Sequence, residues 1–134
     1  MRRACPAAFA FGCPRSYGTA TADGVRALLE CGHDPASDRV RAAFGWLDRH
    51  AVNTVPGLLP EFEPSLRLYW AAALTLTNRA LGRPISAHLP AALRKLVVSC
   101  QRADGSFLGL AGAMKEDDPV VATTLALTVL AGSG

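Results

Sequence analysis

Residues 65 to 82 read Ser-Leu-Arg-Leu-Tyr-Trp-Ala-Ala-Ala-Leu-Thr-Leu-Thr-Asn-Arg-Ala-Leu-Gly, and this stretch decides the fold. Wound into a helix, it presents apolar or small side chains on nearly every face, and residues 119 to 131 do the same. A helix on a protein surface carries a polar face, whereas a helix between two layers does not. The sequence therefore predicts two helices that are buried on both sides.

Three similar segments recur at a constant distance along the chain. They end at Gly32, Gly82 and Gly132, which are spaced 50 residues apart. Each glycine stands where a helix would end in a left-handed residue, a conformation that glycine adopts without steric cost. Self-similarity at a fixed period is the signature of a repeat protein. We predict three related helices, each closed by one of these glycines.

Two segments between these helices carry a polar face. The first follows Ser37, a candidate N-cap, and the second precedes Cys100. Apolar residues recur in both at the spacing of a one-sided helix, namely Val40, Ala43, Phe44 and Leu47 in the first and Leu89, Ala92, Leu93, Leu96 and Val97 in the second. No strand is indicated. The alternation predicts an all-α fold of about five main helices in inner and outer layers, arranged as a closed toroid or a solenoid.

The composition excludes several classes of function. The chain has 134 residues, of which 50% are hydrophobic, and its net charge of +3 is not gathered into a basic run. A nucleic-acid partner is therefore not expected. No apolar stretch approaches the roughly 20 residues that cross a membrane. The segment after Met1-Arg2-Arg3 is too short for a signal peptide and contains Pro6. We expect a soluble, cytoplasmic chain.

The residues after the second one-sided helix read Gln101-Arg102-Ala103-Asp104-Gly105-Ser106-Phe107. They closely resemble the Gln-x-x-Asp-Gly-Ser-Trp/Phe signature that follows outer helices in squalene-hopene cyclases and in the β-subunits of protein prenyltransferases. In such a motif the glutamine and the aromatic ring tie the end of an outer helix to the turn before the next inner helix. Asp-Gly supplies the turn and its positive φ. The resemblance implies the α/α toroid, or helical hairpin barrel, of the terpenoid cyclase and protein prenyltransferase superfamily.

The similarity extends over about residues 15 to 132. Residues 116 to 124 look like the acidic turn and Thr/Ala-rich inner helix of these repeats. Arg15-Ser16-Tyr17-Gly18, Trp46-Leu47 and Pro56-Gly57 resemble bacterial prenyltransferase/squalene-oxidase-repeat proteins of uncharacterised activity. A complete toroid has five or more hairpins, so five helices imply a partial toroid over residues 15–134, with residues 1–14 as the candidate tail of a preceding repeat. Missing N-terminal repeats or self-association would cover its open end.

The candidate catalytic residues are Asp117 and Asp118. Cyclases of this family protonate an alkene with the central aspartate of an Asp-x-Asp-Asp motif, and the counterpart here is Lys115-Glu116-Asp117-Asp118. Repulsion between two carboxylates is one means of raising the pKa of such an acid. Lysine replaces the first aspartate, however, and two aspartates before Pro119 are also ordinary helix capping, which is the interpretation we favour.

No metal site and no cofactor are predicted. Protein prenyltransferases of the family hold zinc with an Asp-x-Cys pair and a histidine, and the chain contains no Asp-x-Cys. We interpret the histidines as solvent-facing or helix-terminal residues, namely His33, His50 and His88. We interpret the cysteines as reduced thiols, with Cys31 and Cys100 at helix ends, since neither they nor Cys5 and Cys13 form a Cys-x-x-Cys pair.

Tyr17, Tyr69 and Trp70 are the aromatic residues nearest the predicted inner layer. In terpene cyclases such rings stabilise cationic intermediates, so these three are the candidate ligand contacts, although aromatic residues of this kind are more often core. The leading functional hypothesis is a repeat domain with an apolar cavity for an isoprenoid-like ligand and without catalysis. The alternatives are a triterpene-cyclase-type enzyme with Asp117 as general acid, and a protein-interaction scaffold.

Overall fold

The computed structural model describes residues 17–50 and 54–132. It contains the helices α1 (Gly18–Glu30), α2 (Asp38–His50), α3 (Arg67–Leu81), α4 (Leu89–Ser99) and α5 (Pro119–Ala131), and a short 3-10 helix (Glu63–Leu66) directly before α3. This part of the chain has no strand, so the predictions of an all-α fold and of about five main helices are confirmed. No helix within it is long and apolar enough to cross a membrane. Residues 1–14, with Cys5 and Cys13, lie outside the described residues.

Two of the three repeat glycines end their helices as predicted. Gly32 has φ +82° and Gly82 has φ +68°. After α1, the amide of His33 reaches back to the carbonyl of Leu28 at 3.0 Å, and the residues after Leu81 make the same kind of contact. These are Schellman ends. The prediction was wrong at Gly132, which has φ −92°. A Cβ there would overlap the methyl of Thr75, so Gly132 is needed for close packing against α3.

The two one-sided helices occur as predicted, with one difference. α2 begins directly after Ser37, but the Ser37 hydroxyl is buried and makes no hydrogen bond, so it does not cap the helix. Val40 and Leu47 of α2 are buried, as are Leu89, Leu93 and Val97 of α4. Both helices therefore pack through the apolar face that their sequence spacing indicates.

The helix α3 is the centre of the molecule. It contacts α1 on one side and α5 on the other, while α2 packs against α1, and α4 packs against α3 and α5. α1, α3 and α5 thus form a row. Tyr17, Tyr69 and Val121, which stand at or near the starts of the three helices, line one common cleft. The N-terminal ends of the row therefore lie together, and the three helices run in the same direction.

The central helix of the row, α3, is more deeply buried than α5 at its end. Eight of the fifteen residues of α3 are buried, and Trp70 and Leu74 have no exposed surface. In α5 only Ala122, Ala126 and Val129 are buried, while Val120 is 76% exposed and Leu127 is 56% exposed. The prediction that α5 is buried on both sides was therefore wrong. Its uniform apolar composition does not reveal which face lacks a partner.

The turn at residues 101–107 has the contacts that the sequence predicts. The side-chain amide of Gln101 donates to the carbonyl of Gly105 at 3.2 Å, and Gly105 has φ +88°. Asp104 accepts from the amide and hydroxyl of Ser106, which holds the pKa of this carboxyl below its ordinary value. Phe107 is buried, and its amide donates to the Thr123 hydroxyl of α5. The turn thus ties the end of α4 to α5.

Candidate functional site

A cleft of about 760 Å³ opens where the N-terminal ends of α1, α3 and α5 meet. Its walls include Tyr17, Tyr69, Met114 and Val121, all large hydrophobic residues that are between 36% and 53% exposed. Sites for small molecules commonly enclose about 300–1,000 Å³ and are lined mainly by apolar side chains with a few polar groups. The cleft has the size and the lining of such a site.

The polar groups of the cleft join α1 to α3. The hydroxyl of Tyr69 donates to Asp23 Oδ2 at 2.7 Å, and Asp23 Oδ1 lies 3.3 Å from the guanidinium of Arg26. The hydrogen bond to Asp23, together with burial, raises the pKa of Tyr69 above its ordinary value, because only the protonated hydroxyl can donate. Tyr69 therefore keeps a fixed ring orientation across the wall of the cleft.

Glu116 lies at the inner wall of the cleft and is only 1% exposed. Its Oε1 accepts from the amide of Tyr69 at 2.7 Å, and its Oε2 accepts from the amide of Leu68 at 3.1 Å. These amides belong to the first turn of α3, where N–H groups have no partner within the helix and a negative charge is favourable. Glu116 thus caps α3. Burial raises its pKa, the charge of Glu63 adds to the rise, and the two amide hydrogen bonds oppose it.

A second carboxylate braces the chain before α3. The guanidinium of Arg67 donates to both carboxylate oxygens of Glu63, with Nε 2.9 Å from Oε1 and the terminal nitrogen 2.7 Å from Oε2, and the amide of Val55 donates to Oε1 at 3.0 Å. Burial alone would raise the pKa of Glu63, but the hydrogen bonds from Arg67 and Val55 and the charge of Arg67 hold it below its ordinary value. The pair fixes the loop before α3 to the first turn of that helix.

The loop before α5 is tightly folded and brings Glu116 into place. The amide of Gly109 donates to the carbonyl of Glu116 at 2.6 Å, and a Cβ on Gly109 would lie only 2.5 Å from Glu116 Cβ. Lys115 has φ +65°, and it is the only residue other than glycine with a positive φ in the described part of the chain. Backbone strain of this kind is concentrated at active sites and ligand clamps. The strained residue lines the cleft.

Of the three predicted ligand contacts, Tyr17 and Tyr69 line the cleft and Trp70 does not. Trp70 is fully buried, and its ring lies so close to Gly18 that a Cβ there would be 2.8 Å from ring atom Cζ3. Trp70 belongs to the packing between α1 and α3. The structure thus brings two of the three aromatic residues together on one surface.

The two candidate catalytic residues lie outside the cleft. Asp118 is the N-cap of α5, where its Oδ1 accepts from the amides of Val120 and Val121 at 2.8 and 3.3 Å. The capping interpretation of Asp118 therefore describes the contacts that it makes. Asp117 is exposed, and its carboxylate lies directly over Gly112.

The histidines and cysteines are scattered. His50 donates to the carbonyl of Trp46 at 2.7 Å and stacks on the Trp46 ring, while His33 and His88 are exposed. Cys31 and Cys100 are unpaired and follow the last residues of α1 and α4, the helix-end positions that the sequence indicates. Within residues 17–50 and 54–132, no group of three His, Cys, Asp or Glu residues is arranged to hold a metal ion.

Sequence reasoning missed the two acidic side chains that organise the site. Glu116 reads as part of an acidic turn, and nothing nearby in the sequence indicates that its partners lie in α3. Asp23 stands in a segment of small and apolar residues. Because burying a carboxylate requires a hydrogen-bond donor or a positive charge beside it, an acidic residue at this place is a signal that such a partner is near. Tyr69 supplies that partner.

No family model, curated protein or solved structure matches the chain.

Proposed function

We propose that the chain binds a hydrophobic small molecule in the cleft at the N-terminal ends of α1, α3 and α5, and that it does so without catalysing a reaction. The observation that carries this proposal is the concentration of exposed apolar side chains at one concave place. Four of the large hydrophobic residues with substantial exposure, Tyr17, Tyr69, Met114 and Val121, line the same cleft. Surfaces of this kind are uncommon unless they meet a ligand or a partner.

The chemistry of the ligand follows from the lining and from the sequence resemblance. Apolar walls favour a hydrocarbon chain, and the Tyr17 hydroxyl and the Lys115 ammonium offer polar contacts for a head group. Isoprenoid-like chemistry is suggested by the likeness of residues 101–107 to the cyclase and prenyltransferase signature. We propose further that the row of α1, α3 and α5 is the inner layer of a partial α/α toroid, a proposal supported by the 50-residue repeat and the common direction of the three helices.

Binding is favoured over catalysis because of the carboxylates near the cleft. Asp117, the candidate general acid, is exposed and does not line the cleft. Glu116 does line it, but both of its oxygens accept hydrogen bonds from α3. A residue that holds a helix end in this way has a structural role. Proton transfer from Asp117 therefore has no observation in its favour.

Thermal unfolding in the presence of farnesol tests the proposal. Saturation at about 100 times the dissociation constant stabilises a protein by roughly 2.7 kcal/mol, which is a shift of several degrees in Tm. Met114→Glu places a charge on the cleft wall and is expected to abolish the shift. Leu110→Glu is the matched control, because Leu110 is in the same loop and equally exposed but does not line the cleft.

Three outcomes separate the hypotheses. A shift that Met114→Glu removes and Leu110→Glu retains supports the cleft as the binding site. A shift that both variants retain would place binding outside the cleft, and equal loss in both would mean that the effect of Met114→Glu is not specific to the cleft. The absence of any shift in the parent protein at saturating farnesol would refute ligand binding and favour the protein-interaction scaffold.

A further inference from the structure

The start of α1 differs from the starts of α3 and α5. In α3 the amides of the second and third residues donate to Glu116, and in α5 the amides at the same two positions donate to Asp118. In α1 these positions are Thr19 and Ala20, and no side chain in residues 17–50 and 54–132 accepts from their amides. The first-turn N–H groups of a helix favour a nearby negative charge. Because Thr19 and Ala20 both line the ligand cleft, an anionic group of a ligand can serve the start of α1 as the two carboxylates serve the other helices.

The side chain of Thr19 gives an independent indication of a polar ligand group. The residue is only 4% exposed and lines the cleft, yet its hydroxyl makes no hydrogen bond within the part of the chain that the structure describes. Every other threonine in the described helices has a partner for its hydroxyl, namely Thr21, Thr75, Thr77, Thr123, Thr124 and Thr128. Buried polar groups are rarely left without a partner. An acceptor atom on a bound molecule would complete the hydrogen bonding of Thr19.

One positive charge in the cleft has no counter-ion. Lys115 is the only cation among the residues that line the cleft, and it forms no ion pair with the described residues. The two acidic residues of the cleft, Asp23 and Glu116, already accept hydrogen bonds from other groups. Asp117 and Asp118 follow in the chain but do not line the cleft. A ligand anion beside Lys115 would gain a charge-assisted hydrogen bond, which is stronger than one between neutral groups.

We infer that the head group of the ligand is a carboxylate, which binds at the start of α1 to the amides of Thr19 and Ala20, the Thr19 hydroxyl and the Lys115 ammonium. The single negative charge of a carboxylate matches the single lysine, whereas a phosphate monoester has a charge of about −1.5 to −2 at pH 7. This inference rests on the proposed function, since it assigns the head group of the hydrophobic molecule that the cleft binds. The apolar walls remain the site of its hydrocarbon chain.

Isothermal titration calorimetry at pH 7 with three ligands of one chain and different head groups tests the inference. Farnesoic acid is ionised at this pH, farnesol is neutral, and farnesylamine is positively charged. Farnesoic acid is expected to bind about tenfold more tightly than farnesol, because hydrogen bonds to a charged group contribute more than those to a neutral one. Farnesylamine is expected to bind most weakly, because its charge would face Lys115 and the positive end of α1.

Two matched lysine variants locate the charge that selects the acid. Lys115→Gln removes the cation of the cleft, and Lys95→Gln removes an exposed lysine of α4 that does not line it. Glutamine is a long, unbranched residue like lysine, so the backbone at position 115 meets the same steric demand in both proteins. Lys115→Gln is expected to bind farnesoic acid and farnesol about equally, while Lys95→Gln keeps the preference of the parent protein. Thr19→Val, which removes only the hydroxyl, is expected to weaken the preference, with circular dichroism as the check of folding.

The outcomes separate this inference from the proposed function. Equal affinity of the parent protein for farnesoic acid and farnesol would overturn the carboxylate and leave hydrophobic binding intact. The tightest binding by farnesylamine would also overturn it, because Asp23 would then be the contact of the head group. A preference for the acid that Lys115→Gln retains would place the carboxylate away from this lysine, and the inference would be wrong. Failure of all three ligands to bind would refute the proposed function and this inference with it.

Discussion

Replacement of Glu116 by alanine tests the most unusual contact of the structure. The substitution leaves the amides of Leu68 and Tyr69 without their acceptors. A buried polar group that loses its partner costs about 1–3 kcal/mol. The upper part of that range applies to Leu68, which is 1% exposed, and the lower part to Tyr69, which is 38% exposed and within reach of water.

The net effect is smaller than the sum of the two losses, because alanine also removes a carboxylate whose burial is unfavourable. We expect the free energy of unfolding to fall by about 3 kcal/mol, a large fraction of the 5–15 kcal/mol that is typical of a domain. Urea unfolding followed by circular dichroism measures this difference. Asp117→Ala is the matched control, since it removes the adjacent exposed carboxylate and is expected to change stability by less than about 0.5 kcal/mol.

The small change expected for Asp117→Ala is the threshold against which Glu116→Ala is judged. A Glu116→Ala protein within about 0.5 kcal/mol of the parent protein would mean that α3 does not depend on this carboxylate. Glu116→Gln keeps one acceptor oxygen and nearly the same shape. It is expected to fall between the parent protein and the alanine variant.

Three further predictions concern Glu116, Gly18 and the hydrogen bond between Tyr69 and Asp23. Because burial raises the pKa of Glu116, the stability that this group contributes is full below its ordinary pKa of 4.5 and declines as pH rises through the raised value. In urea titrations, the difference in free energy of unfolding between the parent protein and Glu116→Gln should therefore shrink from acid to neutral pH. A difference that grows over this range would contradict the direction of the shift. Gly18→Ala should destabilise the protein by about 1–3 kcal/mol in thermal unfolding, since a Cβ there would lie 2.7 Å from Cδ of Pro56. Gly24→Ala is the control, because a Cβ at that position meets nothing within 4 Å, and it should be neutral or stabilising. Asp23→Asn should shift the ultraviolet titration of Tyr69 to lower pH because it removes the charged acceptor, and an unchanged titration would mean that the bond is not made in solution.

The sequence was sufficient to predict the elements of the fold that depend on local chemistry. Two positions of the 50-residue repeat, Gly32 and Gly82, end their helices in the left-handed conformation as expected. The turn after Gln101 and the capping residue Asp118 also have the contacts that their residue types favour. Each of these features is decided within a few residues, so a single sequence specifies it.

The remaining features depend on neighbours that are distant in the sequence. Gly132 is required by the proximity of Thr75 and not by its own backbone angles. Val120 and Leu127 on the exposed side of α5 are at least as hydrophobic as the buried Ala122 and Ala126, so hydrophobicity alone cannot tell the two sides apart. The buried position of Glu116 is set by amides that lie 47 and 48 residues earlier.

The capping of α3 by a later loop has a consequence for how such a chain evolves. In repeat proteins each unit contacts only its immediate neighbours, so the stability of one unit depends on the units beside it. Here the start of α3 is completed by Glu116, a side chain from the loop directly before α5, so a deletion of that loop also removes the cap of α3. A rearranged chain therefore keeps α3 capped only if it still brings the loop that contains Glu116 to the start of that helix.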